Sequence, residues 1–341
     1  MPPEGIAGLV KELPDYAPFG YSGMAACNGK LYASSNVGLL EFENGNVSKA
    51  YRVQGKYSVV SGPWCDEAHH LLWMQDNQRN DFLNFNGSGW VEVSMPQPPK
   101  EYFTRGDIAE GFRGSGNSHG FWLEGGGGVW RWDNEKRQWK PERMPRMDYP
   151  NRVIRVLALE SRLMLVARHE GMSLLFRRGQ QFSSDTVHYF DDGWREVPNH
   201  SGMNYLLKGS VTVGDTGYIC TEQGNLLAVN LAEVKSVKAP GSCEALAKAS
   251  SNRLLVSFTG DGVYEYADKW ILRAKSPYPS SEGEHWAYLA EQGSQIAYAT
   301  SSVPHLDKAK SSDTDIKWTR SGTTAMWLSE GQGFRPVVLD R

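Results

Sequence analysis

The sequence predicts an all-β fold, a single seven-bladed β-propeller of four-stranded antiparallel blades. The first observation behind this prediction is a repeated pattern of a glycine turn, alternating apolar and polar residues, a second turn and an aromatic residue. It is clearest in "GDGVYEYADKW" from Gly260 to Trp270 and recurs in "GGGGVWRWDNEKRQW" from Gly125 to Trp139. A third copy, "NVGLLEFENGN", contains Asn44-Gly45, a dipeptide typical of tight β-hairpins.

The second observation is the regular spacing of seven short apolar segments that precede the glycine turns. These segments are "KLYASS" at Leu31, "LLWMQ" at Leu72, "GFWLE" at Phe121, "RLMLVA" at Leu163, "GYICT" at Tyr218, "RLLVSF" at Leu254 and "QIAYAT" at Ile296. Their spacings of 41, 49, 42, 55, 36 and 42 residues fall in the range of four-stranded propeller blades. Their branched and aromatic residues favour strands, and no long helical period competes.

The residues on either side of each apolar segment predict the remaining strands of a blade. Ahead of the segment lies a strand of small residues, as in "YSGMAACNG", "YSVVSGPWC", "SVTVGDTG" and "EALAKASS". Small residues suit the innermost strands, because these strands crowd around the central channel. Many copies close with an aromatic residue, which we expect to pack between blades: Trp90, Trp139, Trp194, Trp270 and Phe334.

The two ends of the chain predict how the ring closes. "GLVKELPDYAPFGYSG" is similar to passages that lead from an outer strand into the next blade, so a strand at about residues 8–14 is expected to complete the last blade. The C-terminal "AMWLSEGQGFRPVVL" supplies other outer strands, and its last strand competes for the same place. One domain over residues 1–341 is predicted, with an insertion at 301–323 between the second and third strands of the last blade.

Composition and charge narrow the location and the partners. The net charge of −3 and a pI near 6.3 disfavour nucleic acid, and no apolar run is long enough for a membrane-spanning helix. The opening "MPPEGIAGLVKELPDY" lacks a signal peptide's basic start and apolar centre, which predicts a cytoplasmic protein, or an exported one if a signal was removed upstream. The four cysteines are expected to be free thiols, the alternative being one long-range disulfide in an exported protein.

The order of strand, glycine turn and "GLLEFENGN" or "DGVYEYADKW" resembles the two-component-regulator type of propeller repeat. "FDDGWREVP" and "WDNEKRQWKPERMP" are also similar to kelch repeats. The resemblance covers most of the chain but lies in turn glycines and packing aromatics. It therefore implies architecture, together with the sensing or interaction roles and the polysaccharide lyase or glycosidase activities found among such propellers.

Candidate site residues come from the two sets of loops expected on the ligand face: those entering each innermost strand and those linking the second and third strands. The ligand-binding candidates are Asp76, Arg79, Asp81, Asp107, Arg152, Lys208, Glu222, Glu244, Asp261 and His305. If the protein is an enzyme acting on a sugar, acid-base chemistry would come from His169, His285, Tyr21, Tyr57, Glu170 and Arg168. "RHEG" at 168–171 is the most compact group and is interpreted as a polar hairpin turn.

Metal and cofactor sites are not predicted. His69-His70 is interpreted as a surface turn, since zinc needs three or four convergent ligands. "GGGG" at 125–128 lacks the lysine and helix of a phosphate-binding loop and predicts a hairpin.

The favoured function is a non-enzymatic recognition module that binds a protein or a small polar ligand, such as a carbohydrate, on the loop face. The alternative is a carbohydrate-active lyase or hydrolase at the mouth of the channel. The enzyme requires His169, His285, a tyrosine and an acidic residue to converge around a pocket, whereas the binding module requires a broad face with an exposed patch.

Overall fold

A computed structural model describes residues 19–44, 46–51, 60–76, 81–87, 89–94, 112–125, 128–142, 151–172, 181–190, 194–198, 207–278, 285–306, 318–321 and 323–337. These residues form seven antiparallel sheets, each corresponding to one blade. In this part of the chain no helix is both long and apolar enough to cross a membrane.

The first four blades each contain four strands in chain order. Blade 1 consists of β1 (Tyr21–Cys27), β2 (Lys30–Ser35), β3 (Gly38–Glu43) and β4 (Asn46–Tyr51). Blade 2 consists of β5 (Val60–Asp66), β6 (Leu71–Asp76), β7 (Asp81–Phe85) and β8 (Trp90–Val93). Blade 3 consists of β9 (Arg113–Asn117), β10 (Gly120–Gly125), β11 (Gly128–Asp133) and β12 (Gln138–Pro141). Blade 4 consists of β13 (Asn151–Ala158), β14 (Leu163–Met172), β15 (Gln181–Phe190) and β16 (Trp194–Glu196).

The last three blades repeat this order, and the seventh carries one extra strand. Blade 5 consists of β17 (Leu207–Val213), β18 (Thr216–Thr221), β19 (Leu226–Val229) and β20 (Val234–Ser236). Blade 6 consists of β21 (Cys243–Lys248), β22 (Leu254–Phe258), β23 (Gly262–Tyr266) and β24 (Trp270–Lys275). Blade 7 consists of β25 (His285–Gln292), β26 (Gln295–Leu306), β27 (Trp318–Ser321), β28 (Ala325–Glu330) and β29 (Gly333–Pro336).

The seven blades form a closed ring around a channel. The first strand of each blade contacts the first strand of the next, and β25 of blade 7 contacts β1 of blade 1. All seven apolar segments of the sequence lie in the second strand of a blade, and the small-residue segments lie in first strands. The predicted seven-bladed propeller of four-stranded blades is therefore confirmed.

An apolar core fills the gap between each pair of neighbouring blades. The core between blades 2 and 3 is the most aromatic: Trp73 is fully buried and its ring centroid lies 5.9 Å from that of Phe121 and 4.7 Å from that of Trp132. The aromatic residues that close the repeats all lie on the outermost described strand of their blade and pack against such cores, as predicted: Trp90, Trp139, Trp194, Trp270 and Phe334. Side-chain burial between blades, where apolar area leaves water, is the main stabilising contribution to the ring.

The joint between blades 7 and 1 closes the ring. Tyr21 and Leu31 of blade 1 pack against Ala297 and Met326 of blade 7. In addition, the Ser301 hydroxyl donates a 2.8 Å hydrogen bond to the Tyr21 carbonyl oxygen. The predicted N-terminal strand at about residues 8–14 lies outside the described residues and stays a prediction, and β29 is the outermost described strand of blade 7.

The inserted segment of blade 7 begins as a β-hairpin. β26 continues past the blade to Leu306, and its last residues pair with β27, from Val303↔Ser321 to Leu306↔Trp318. Residues 307–317 and 322 are outside the described part of the chain. The boundaries predicted for the insertion, 301–323, therefore stay a prediction.

Two disulfides link neighbouring blades, which corrects two predictions. Cys27 and Cys65 join the first strands of blades 1 and 2, with Cα atoms 5.4 Å apart, and Cys220 and Cys243 join blades 5 and 6, with Cα atoms 5.7 Å apart. The prediction of free thiols is wrong, since all four cysteines are paired. Structural disulfides persist in oxidising compartments, so the prediction of a cytoplasmic protein is also wrong and the chain belongs outside the cytoplasm.

Candidate functional site

The channel has two distinct ends, which we name by the loops that surround them. The "turn end" is surrounded by the turns between the first and second strands, and the "entry end" lies where the chain enters each first strand. A cavity of about 780 Å³ at the turn end is lined mainly by small residues of the first strands, such as Ala26, Gly116 and Ala247. A second cavity, of about 440 Å³, lies at the entry end.

Acidic residues predominate at the turn end, where Glu67, Glu160 and Glu291 line the cavity together with Lys248. The Lys248 Nζ lies 3.6 Å from the Glu67 Oε1, an ion pair between blades 6 and 2, which are not neighbours. Glu291 is 3% exposed, accepting a 2.7 Å hydrogen bond from Arg273 Nη2 and another of 2.7 Å from the Ser250 backbone N–H. Its carboxylate is thereby committed to joining blades 6 and 7.

Basic residues predominate at the entry-end cavity, which we call the entry pocket. It is lined by residues of four consecutive blades: Ser61, Gly62, Trp64, Phe112, Arg113, Gly114, Glu124, Arg155, Val156, Lys208, Gly209 and Ser210. Three of its four ionisable side chains are cations.

Arg155 and Glu124 form a buried ion pair at the base of the entry pocket. The Arg155 Nη1 donates a 3.0 Å hydrogen bond to Glu124 Oε1, and its Nη2 donates one of 3.2 Å to the Leu207 carbonyl oxygen. The Val156 backbone N–H donates to the other Glu124 oxygen. Burial raises the pKa of the Glu124 carboxyl, while Arg155 and Arg113 act in the opposite direction. The pair fixes blade 3 against blade 4.

Arg113 and Lys208 differ from Arg155, because both are exposed and neither has a hydrogen-bond or ion-pair partner among the described residues. Among the described residues, longer-range attractions act between Arg113 and Glu124 and between Lys208 and Glu244. Their charged groups are therefore available to a ligand.

A His–Glu–Tyr cluster lies between blades 6 and 7 at the same end. The His285 Nε2 is 2.6 Å from Glu244 Oε1, and the Tyr298 hydroxyl donates a 2.8 Å hydrogen bond to Glu244 Oε2. Burial by itself would raise the pKa of Glu244, but the hydrogen bonds from His285 and Tyr298 hold it below its ordinary value. The side chains of His285 and Glu244 are only 5% and 4% exposed, so the cluster is enclosed.

The remaining predicted site residues do not gather in one place. Tyr21 is buried at the joint of blades 7 and 1, and this burial raises its pKa. Asp76 is buried at the end of β6, Glu222 is exposed, and the exposed Asp261 accepts a 2.9 Å hydrogen bond from the Tyr264 hydroxyl. Of the predicted residues whose side chains the structure describes, only Lys208 lines the entry pocket.

Several predicted residues cannot be placed as side chains. Tyr57, Arg79 and Asp107 lie outside the described residues. Six other predicted residues lie in described strands, but the structure does not describe their side chains: Asp81, Arg152, Arg168, His169, Glu170 and His305. The backbone corrects one interpretation, because "RHEG" is not a turn. Arg168 to Gly171 form part of β14 and pair with Asp185 to Phe182 of β15.

Sequence reasoning missed Arg113, Arg155 and Trp64 in the entry pocket. Asp107 was chosen as the entry residue of blade 3, whereas β9 begins at Arg113. The small-residue run "RGSGN" was the available signal, because it has the composition of a first strand. The short turns at His69-His70 and between Gly125 and Gly128 are as predicted, and within the described residues no group of three His, Cys, Asp or Glu could hold a metal.

This geometry defines a closed, seven-bladed β-propeller with a cationic entry pocket. No protein-family profile and no curated protein sequence matches the chain. It is similar in structure to the extracellular domain of the hybrid two-component system BT4673 from B. thetaiotaomicron, with a TM-score of 0.52, 14% identity, and coverage of 95% of this chain and 46% of that one.

A second similar structure is that of PorZ, a bacterial surface component of the type-IX secretion system of Porphyromonas gingivalis. The TM-score is 0.55 at 10% identity, with 94% of this chain and 38% of PorZ covered. This chain thus spans less than half of either protein. The resemblance to the two-component-regulator type of propeller is confirmed at the level of the fold. The matched domain of BT4673 is extracellular, and PorZ is a bacterial surface component.

Proposed function

We propose that the chain is an extracytoplasmic recognition domain that binds a ligand at the entry end of its channel without converting it chemically. The observation that carries this proposal is a pair of cations, Arg113 and Lys208, that have no hydrogen-bond or ion-pair partner among the described residues and line a cavity on the ring. Rigid blades, which the inter-blade disulfides reinforce, reduce the ordering cost of binding. The similarity to sensor and surface propellers is consistent with such a role.

A carbohydrate-active lyase or hydrolase is the second candidate, because His285, Glu244 and Tyr298 do converge. A general base must come within hydrogen-bond reach of the substrate proton. The enclosure of these side chains and their absence from the lining of both cavities weigh against catalysis. Their hydrogen bonds instead link β21, β25 and β26, which favours a structural role.

The proposal can be tested by identifying what co-purifies with the full chain from envelope extracts of its source. We expect the double variant Arg113→Ala/Lys208→Ala to lose the co-purifying species. The matched control is Lys269→Ala/Lys275→Ala, which removes two exposed charges from the outer part of blade 6 and should retain them. Equal recovery with both variants would contradict recognition at the entry end. Unsaturated or hydrolysed products from a panel of acidic polysaccharides would contradict the non-enzymatic assignment.

A further inference from the structure

We infer that the entry pocket is a site for a small organic anion, whose acidic group binds to Arg113 and Lys208 and whose ring or other apolar face packs on Trp64. This inference rests on the proposed function and specifies the chemistry of the ligand. It applies to carboxylates, sulfates and phosphates carried on a compact, flat scaffold. An acidic sugar and an aromatic acid both satisfy this description, and the experiment below distinguishes them.

The charges around the entry pocket favour a negatively charged ligand. Glu124 is held by Arg155 and by the Val156 backbone, so this carboxylate and this guanidinium neutralise each other within the pocket wall. Within the described part of the chain, Arg113 and Lys208 then remain as two positive charges on one cavity without an ion-pair partner. At the turn end, Glu67 pairs with Lys248 and Glu291 pairs with Arg273, so among the described lining residues Glu160 supplies the remaining negative charge and the two ends of the channel have net charges of opposite sign. An anion is attracted to the entry end and repelled by the other.

The donor groups of Arg113 and Lys208 suit an acidic group on the ligand. A guanidinium presents paired N–H donors that match the two oxygens of an acidic group, and an ammonium adds a compact charge with three donors. Arg113 begins β9 and Lys208 lies near the start of β17, so both are attached to first strands of the rigid ring. Strand-borne donors are more precisely positioned than donors on long loops.

Trp64 provides an apolar wall of the entry pocket. Trp64 is partly buried, packs against the core between blades 2 and 3, and lines both the entry pocket and the larger cavity. A Cβ at Gly114 would lie only 2.7 Å from Trp64 Cγ, so a residue other than glycine there would displace the indole. An aromatic face beside cationic donors accommodates a molecule that carries its charge at one end and an apolar face at the other.

The volume of the entry pocket suits a small molecule. A volume of about 440 Å³ falls in the range of small-molecule sites, roughly 300–1,000 Å³. Gly209 also faces open space, since a Cβ built there meets no atom within 4 Å. A larger side chain at this position can therefore be introduced to fill the pocket without a clash in the fold.

The experiment is titration calorimetry on the full chain with galacturonate, benzoate and inorganic sulfate as probes. We expect at least one organic acid to bind more tightly than sulfate, with an affinity that falls as salt rises. Arg113→Ala and Lys208→Ala should each weaken binding by about tenfold or more, as expected for loss of a charged hydrogen bond. Gly209→Val should abolish binding while leaving the thermal midpoint unchanged, and the Lys269→Ala/Lys275→Ala control should bind as the unmodified chain does.

The outcomes separate the parts of the inference. Preference for benzoate indicates an aromatic acid, preference for galacturonate indicates an acidic sugar, and either preference should disappear in Trp64→Leu. Binding of sulfate alone, or binding unaffected by Arg113→Ala and Lys208→Ala, would overturn the organic-anion site. If no probe binds but the co-purifying species still depends on Arg113 and Lys208, this inference fails while the proposed recognition function stands.

Discussion

Removing the two disulfides in separate variants should destabilise the ring by different amounts. We consider Cys27→Ala/Cys65→Ala and Cys220→Ala/Cys243→Ala, using alanine so that no hydroxyl is buried in the apolar surroundings. The first disulfide closes a loop of 38 residues and the second one of 23. On the chain-entropy relation, loss of the 38-residue crosslink stabilises the unfolded state by about 3.9 kcal/mol, and loss of the 23-residue crosslink stabilises it by about 3.4 kcal/mol. The free energy of unfolding should fall by about these amounts.

The assay combines mass spectrometry with urea unfolding. Alkylation of the denatured, unreduced protein should add no label, and alkylation after reduction should label all four cysteines. The free energy of unfolding should then fall in both variants, and more in the one lacking Cys27–Cys65. Labelling of all four thiols without reductant would refute the pairing. A larger loss in the Cys220–Cys243 variant would refute the entropic reasoning, because loop length predicts the reverse order.

Three further predictions concern the cores and the titrating groups. Trp73→Ala should cost about 3–5 kcal/mol in urea unfolding, since it empties the centre of a packed aromatic core, whereas Ile271→Ala, at a 41% exposed position, should change stability little. The pKa of Glu244 is lowered from 4.5 in the folded protein, so the stability that this carboxylate contributes is complete above pH 4.5 and is lost as the pH falls through the lower folded pKa. Glu244→Gln should therefore reduce the loss of unfolding free energy at acid pH, measured by urea unfolding over a pH series. An unchanged acid loss in Glu244→Gln would contradict the lowered pKa. Burial raises the pKa of Tyr288 from 10.0 to about 12, so the stability that its neutral side chain contributes is present below pH 10.0 and is lost as the pH rises towards 12. Tyr288→Phe should therefore weaken the alkaline loss of stability. If the native protein shows phenolate absorbance at pH 10.0 and Tyr288→Phe removes it, the raised pKa is wrong.

The strand order could be predicted from the sequence because each blade depends on local signals. Apolar alternation, turn glycines and a closing aromatic act within one repeat, so Leu31 and Ile296 mark second strands equally well. The disulfides depend on contacts between repeats. Cys27 and Cys65 lie at or next to the last residue of the first strands of two consecutive blades, a signal that aligned repeats contain, but Cys220 and Cys243 occupy different strands of their blades.

The site was harder to predict for a related reason. Any rim of a propeller presents polar residues, and the sequence does not show which of them are consumed by neighbouring blades. Glu244 and His285 were chosen as ligand-binding or catalytic candidates, yet they bind each other inside a joint. Arg113 lies six positions after Asp107, the residue that the sequence suggests for this loop, because β9 begins only at Arg113. Among the candidates with described side chains, Lys208 alone is both predicted and present in the pocket.

The ion pair between Glu67 and Lys248 has a consequence for how solutes would move. It stretches from blade 2 to blade 6 like a crossbar over the far opening of the tunnel. A molecule bound beside Arg113 would therefore meet a pair of opposite charges if it moved through the channel towards the turn end. Loss of this pair in Lys248→Ala would change the rate at which a ligand leaves only if the ligand passes through the turn end.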